Sequence, residues 1–104
     1  MEEKKQINEI LKNATVMLNA GISDEMNGDY DHAIAHFKSG LNVIGNLYYV
    51  RGMIDDSGMK LTVADIQIRD GNLKNASSVF RKTLESRLRL YKDKCLEENA
   101  QHEE

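Results

Sequence analysis

Apolar residues recur every three or four positions along most of this chain, a spacing that predicts amphipathic helices. The stripe of the first predicted helix, over residues 3 to 27, consists of Ile7, Leu11, Ala14, Leu18 and Ile22. The second helix is predicted to start near Asp29, whose carboxylate can cap the free backbone amides of a helix N-terminus. Its stripe consists of Tyr30, Ala33, Ile34, Phe37, Leu41, Ile44 and Tyr48.

The pattern weakens over residues 51 to 60, where glycine, aspartate and serine cluster and favour a loop. A third helix is predicted from about residue 59 to 69, with Leu61, Ala64 and Ile68 on one face. A fourth is predicted from about residue 73 to 98. Its stripe consists of Leu73, Ala76, Phe80, Leu84, Leu88, Tyr91 and Cys95. The alternative is a single helix over residues 60 to 98 that runs through Gly71.

The two halves of the chain match each other at an offset of 43 residues. Six pairs are identical within the 21 positions from 28 to 48, where average composition gives about one or two. They are Gly28 and Gly71, Ala33 and Ala76, Phe37 and Phe80, Leu41 and Leu84, Leu47 and Leu90, and Tyr48 and Tyr91. A glycine turn this short makes the flanking helices antiparallel.

The fold class predicted from these patterns is therefore all-α, built from antiparallel helical hairpins. Four helices form two repeats, one at about 3–50 and one at about 57–98, and the last helix is extended. The repeats form one domain over residues 1–98, and an acidic tail at 99–104 is expected to fray.

This pattern resembles the tetratricopeptide repeat over about residues 14 to 91. The residues that carry the resemblance are Gly21, Gly28, Tyr30, Ala33, Phe37 and Leu41, and then Ala64, Gly71, Leu73, Ala76, Phe80 and Leu84. The period of 43 departs from the roughly 34 residues of the standard repeat, and no proline follows the second helix.

The resemblance implies a non-enzymatic adaptor that binds a protein or peptide in a groove lined by the first helix of each hairpin. By position, the groove residues are Leu18, Ile22, Glu25 and Met26, and then Leu61, Asp65, Ile68 and Arg69. On this interpretation Leu18→Asp abolishes partner binding and spares the fold. The competing interpretation places Leu18, Ile22 and Leu61 in the core.

Two other functions are compatible with the same helices. A second resemblance, to the microtubule-interacting-and-trafficking domain, depends on Ala33, Phe37, Gly40, Leu41 and the Arg87-Leu88 region. It implies a three-helix bundle that binds helical tails of membrane-remodelling proteins, in which residues 60 to 98 form one helix. The chain is alternatively a structural homo-oligomerisation domain, or part of a longer array, because two repeats leave one end of a stack open.

Composition narrows these alternatives. The chain has 104 residues, a net charge of −3, no proline and one cysteine, Cys95, which excludes an internal disulfide and fits a reducing, cytoplasmic location. The charge argues against a nucleic-acid partner, and no apolar run predicts membrane insertion or a signal peptide.

Few residues offer chemistry. His32 and His36 share a helix face, but structural zinc needs four ligands, so no metal site is predicted. We interpret Cys95 as a packing residue and the basic stretch from Arg81 to Lys94 as a solvated face whose charges are spread around the helix. No nucleotide-binding or catalytic motif is present, and we predict neither enzyme activity nor a cofactor.

Overall fold

The computed structural model describes the backbone of residues 2–50 and 57–102, and the side chains of residues 7–45 and 62–92. Four α-helices follow one another: α1 (Glu2–Met26), α2 (Tyr30–Val50), α3 (Ser57–Arg69) and α4 (Leu73–His102). The described residues contain no strand. The prediction of an all-α fold with four helices is confirmed.

The turn between α1 and α2 closes with two backbone hydrogen bonds. The Gly28 amide donates to the Glu25 carbonyl (3.0 Å), and the Asp29 amide donates to the Asp24 carbonyl (2.9 Å). Together they form a Schellman motif, which requires a left-handed residue after the helix. Gly28 supplies it with a φ of 76°, a conformation that glycine adopts without a steric penalty.

The same turn recurs 43 positions later between α3 and α4. The Gly71 amide donates to the Ile68 carbonyl (3.0 Å), and the Asn72 amide donates to the Gln67 carbonyl (2.7 Å). Gly71 has a φ of 85°. The same pair of backbone hydrogen bonds is therefore repeated at the 43-residue offset found in the sequence. The alternative of one unbroken helix through Gly71 is wrong, because the chain reverses there.

Within the first hairpin, α1 and α2 run antiparallel at close range. A Cβ atom added to Gly21 would lie only 2.3 Å from Cε1 of Phe37, so the aromatic ring lies directly against the glycine backbone. Ala33 and Phe37 are fully buried. Near the turn, Nδ1 of His36 lies 2.6 Å from Oδ2 of Asp24. Small residues at the crossing thus let the aromatic ring fill the space between the helices, as the sequence predicts.

The second hairpin packs on the first through α4. A Cβ added to Gly40 in α2 would lie 2.7 Å from a methyl of Leu84 in α4. Two residues earlier in α2, the Lys38 ammonium lies 5.3 Å from the centre of the Phe80 ring. The earlier residue of α2 contacts the earlier residue of α4, and the later contacts the later, so the two helices run in the same direction. One core results, and its buried apolar residues are Ile7, Leu11, Ala14, Ala33, Ile34, Phe37, Leu41, Ile44, Ala64, Ala76, Phe80, Leu84, Leu88 and Tyr91.

Helix α4 is the centre of this arrangement. It packs against α1, α2 and α3, whereas the backbone of α3 approaches neither α1 nor α2 within the described residues. An ion pair of 3.5 Å between Lys38 and Asp65 links α2 to α3. Helices α1, α2 and α4 therefore form a three-helix core, and α3 lies on the outside of α4.

Two ion pairs link the hairpins. Lys38 and Arg81 are 43 residues apart, and each pairs with an acidic residue on the first helix of the other hairpin, Asp65 or Glu25. The equivalence of the hairpins is partial, because α1 packs against α4 whereas the backbone of α3 does not approach α2 in the described residues.

The helix ends differ little from the predicted ones. Helix α3 begins at Ser57, two residues before the predicted start, and α4 continues to His102 rather than ending near residue 98. The prediction ended this helix too early, because residues 99–102 (Asn-Ala-Gln-His) contain neither glycine nor proline, and alanine and glutamine favour helix. Residues 51–56 of the predicted loop, and the side chains of Leu47, Tyr48 and Cys95, lie outside the described residues.

Candidate functional site

The predicted groove residues of α1 differ widely in exposure. Leu18 and Ile22 are partly buried and pack against the core. Met26, one turn further along the same face, is 83% exposed. Leu18 therefore belongs partly to the core, and we expect Leu18→Asp to destabilise the fold. Met26 offers a position on the same face whose substitution should spare the fold.

Glu25 joins α1 to α4. Its Oε2 accepts a hydrogen bond of 2.7 Å from the hydroxyl of Ser77, which is completely buried. Its Oε1 lies 3.2 Å from Nε of Arg81, an ion pair without the alignment of a hydrogen bond. The Glu25 side chain is only 16% exposed. This carboxylate thus has a structural role that its position in the sequence did not indicate.

We expect Glu25→Ala to destabilise the fold by about 1–3 kcal/mol, because it leaves the buried Ser77 hydroxyl without an acceptor. The loss should be smaller in a Ser77→Ala background, and a double-mutant cycle by urea denaturation measures the difference. The control is Glu9→Ala, an exposed carboxylate on the same helix, expected within about 0.5 kcal/mol of the parent. Equal losses in both backgrounds would contradict the assigned contact.

The predicted groove residues of α3 lie apart from those of α1. Asp65 is exposed and pairs with Lys38, Arg69 is exposed, and Ile68 is partly buried against the core. The Leu61 side chain lies outside the described residues. The backbones of α1 and α3 do not come into contact in the described part of the chain.

Helix α4, not α3, forms the second wall beside α1. An open depression of about 410 Å³ lies between them, lined by Asn8, Leu11, Lys12, Thr15, Val16 and Lys92. Because Lys92 lies near the start of α1 while Arg81 contacts its end, the two helices run antiparallel. Sequence reasoning missed this site, since it combines residues about 80 positions apart with no shared motif.

Apolar side chains are also exposed elsewhere. Val63 and Ile66 on α3 are 49% and 43% exposed, and Leu90 on α4 is 40% exposed. Val63 and Ile66 are three residues apart and therefore neighbours on one helix face. This face points away from the side of α3 that buries Ala64 against α4.

Each of the two histidines on α2 has a carboxylate neighbour. Nδ1 of His32 lies 2.6 Å from Oδ2 of Asp29, whose Oδ1 also accepts the His32 backbone amide at 3.3 Å. Asp29 therefore caps α2, as predicted. His36 pairs with Asp24 as described above. No three histidine, cysteine, aspartate or glutamate side chains among the described residues converge on a position for a metal ion.

Comparison with known proteins adds no family. No family model matches the chain, and no curated protein and no solved structure matches it either. Among the described residues, no helix has the length and apolar character needed to cross a membrane.

Proposed function

We propose that this chain is a non-enzymatic protein-interaction module that binds a peptide or helix of a partner protein in a groove between its helices. The observation that supports the proposal best is the apolar row along α1. Leu18 and Ile22 are partly exposed, and Met26 is almost fully exposed. They are four residues apart and therefore form a continuous row on one face of α1.

The likeness to tetratricopeptide repeats belongs to the same proposal. In the first hairpin Gly21 lies against Phe37, and the equivalent residues of the second hairpin, Ala64 and Phe80, are buried in the same core. Both also close with the same glycine turn. We propose a repeat unit of that type, acting in the cytoplasm because a single cysteine suits a reducing compartment.

One alternative has an observation against it and another has one in its favour. A trafficking-type three-helix domain, which binds helical tails of membrane-remodelling proteins, requires one helix over residues 60 to 98, and the break between α3 and α4 counts against it. The exposed Val63 and Ile66 favour homo-oligomerisation through α3.

A photo-crosslinking amino acid in place of Met26 tests the proposal in cells that make the protein. We expect an adduct with another polypeptide, because Met26 lies at the exposed end of the apolar row. The matched control is the same amino acid in place of Asn13, which is exposed on the same helix and lies nine residues, or two and a half turns, before Ile22. Asn13 thus faces the opposite side of α1.

The crosslinks formed at Met26 and Asn13 distinguish a partner-binding groove from homo-oligomerisation. An adduct at Met26 and none at Asn13 would support a partner groove on this face. An adduct only between two copies of this chain would overturn the proposal in favour of homo-oligomerisation. Equal adducts at both positions, or none at Met26, would contradict a specific groove.

A further inference from the structure

The depression between α1 and α4 has an apolar floor with cations at its edge. Leu11 and Val16 contribute apolar surface, and Val16 is 55% exposed. The Thr15 hydroxyl already donates to the Leu11 carbonyl (2.8 Å), so it is not free to bind a ligand. The volume of about 410 Å³ lies within the roughly 300–1,000 Å³ typical of binding sites.

Two lysines line the depression, Lys12 from α1 and Lys92 from α4. No acidic side chain within residues 7–45 and 62–92 lines it. Among the described residues, neither lysine is within ion-pair distance of a carboxylate. Glu9 is exposed on α1, but it does not line the depression.

The cationic surface continues along α4. Four exposed cations, Lys74, Lys82, Arg89 and Lys92, are spaced by eight, seven and three residues, which places them on one side of the helix. Only Glu85 lies among them as a negative charge. The chain as a whole has a net charge of −3, so this side of α4 has the opposite sign to the rest of the protein.

We infer that the seam between α1 and α4 binds an acidic amphipathic helix of a partner protein, a conclusion that rests on the proposed protein-binding function. Apolar side chains of that helix enter the depression, and its carboxylates pair with Lys12 and Lys92. Two antiparallel helices form a seam in which a third can lie. The apolar floor and the negative net charge favour such a helix over a nucleic acid, which offers phosphates and no aliphatic side chains.

The test uses the full chain, labelled with ¹⁵N, and two synthetic peptides of about 16 residues, long enough to form a helix. Both carry the same leucine stripe, and the remaining positions are glutamate in one and lysine in the other. We expect the glutamate peptide to shift the amide signals of residues 8–16 and of Lys92, and the lysine peptide to leave them unchanged. Lys12→Glu should weaken binding of the glutamate peptide at least tenfold.

The matched control is Arg69→Glu, which changes the net charge by the same amount at an exposed position on α3. It should leave the affinity within about twofold, because α3 does not contact α1. Equal weakening by both variants, equal binding of both peptides, or no binding would overturn the inference. So would a single-stranded oligonucleotide that binds the seam more tightly than the glutamate peptide.

The experiments distinguish failure of the acidic-helix inference from failure of the proposed protein-binding function. Peptide shifts confined to α3, together with a partner adduct at Met26, would overturn the acidic-helix inference and leave a protein-binding module in place. No partner adduct at Met26, combined with peptide binding at neither α1 nor α3, would remove both.

Discussion

Phe37→Ala and Phe80→Ala should each lower the free energy of unfolding by about 3–5 kcal/mol. Phe37 is fully buried against Gly21, and Phe80 is 2% exposed beneath the Lys38 ammonium. Each substitution leaves a cavity the size of a ring between two helices that cannot close on it. Since small domains have about 5–15 kcal/mol in total, either variant could be largely unfolded at 37 °C. Urea denaturation followed by circular dichroism measures the loss.

The control for these truncations is Val16→Ala. Val16 is 55% exposed, so shortening it should change stability by less than about 0.5 kcal/mol. An unchanged melting temperature for Phe37→Ala or Phe80→Ala would show that the two positions do not have equivalent roles in the two hairpins.

Gly21→Ala should destabilise the protein, and Gly45→Ala should stabilise it. Both glycines lie inside helices, where alanine is favoured by about 1 kcal/mol. At Gly45 nothing lies within 4 Å of the new Cβ, so the whole gain is realised. At Gly21 the Cβ would lie 2.3 Å from a ring carbon of fully buried Phe37, and the clash should cost on the order of 1–3 kcal/mol.

Thermal denaturation of the two variants, run side by side, measures whether their stabilities change in opposite directions. The pair is informative because the chemical change is identical and only the surroundings differ. Stabilisation by Gly21→Ala would mean that α1 and α2 do not approach as closely as described.

The hairpins were predictable from the sequence because their determinants are local. Periodicity identified which face of each helix is apolar, and the pairing of Gly28 with Gly71 located both turns. Each turn depends on a glycine with positive φ and on hydrogen bonds that span five residues or fewer. Such features are visible in a short window of residues.

The packing between hairpins could not be predicted in the same way. An apolar stripe shows that a face is covered, but not which helix covers it, and the chain places α4 rather than α3 against α1. The contact between Glu25 and Ser77 joins positions 52 residues apart, with no motif at either end. The expected groove between the first helices of the two hairpins was inferred from family geometry, and it stays a prediction.

The distribution of exposed charge on α4 was likewise not predictable from the sequence. From the sequence, its cations are spread around the helix. In the structure Arg81 is paired with Glu25, and the exposed cations Lys74, Lys82, Arg89 and Lys92 lie on one side. Exposure and pairing decide which of these cations are available to a partner, and both depend on tertiary contacts.

The central claim is that two equivalent hairpins, each with its own glycine turn, pack together through α2 and α4. Solution NMR tests it most directly, by secondary chemical shifts across residues 62–75 and nuclear Overhauser effects between the Gly40 α-protons and the Leu84 methyls. We predict helical shifts that stop at Asp70-Gly71 and resume at Leu73, together with a strong Gly40–Leu84 effect. Uninterrupted helical shifts through Gly71, or no effect between Gly40 and Leu84, would contradict the claim.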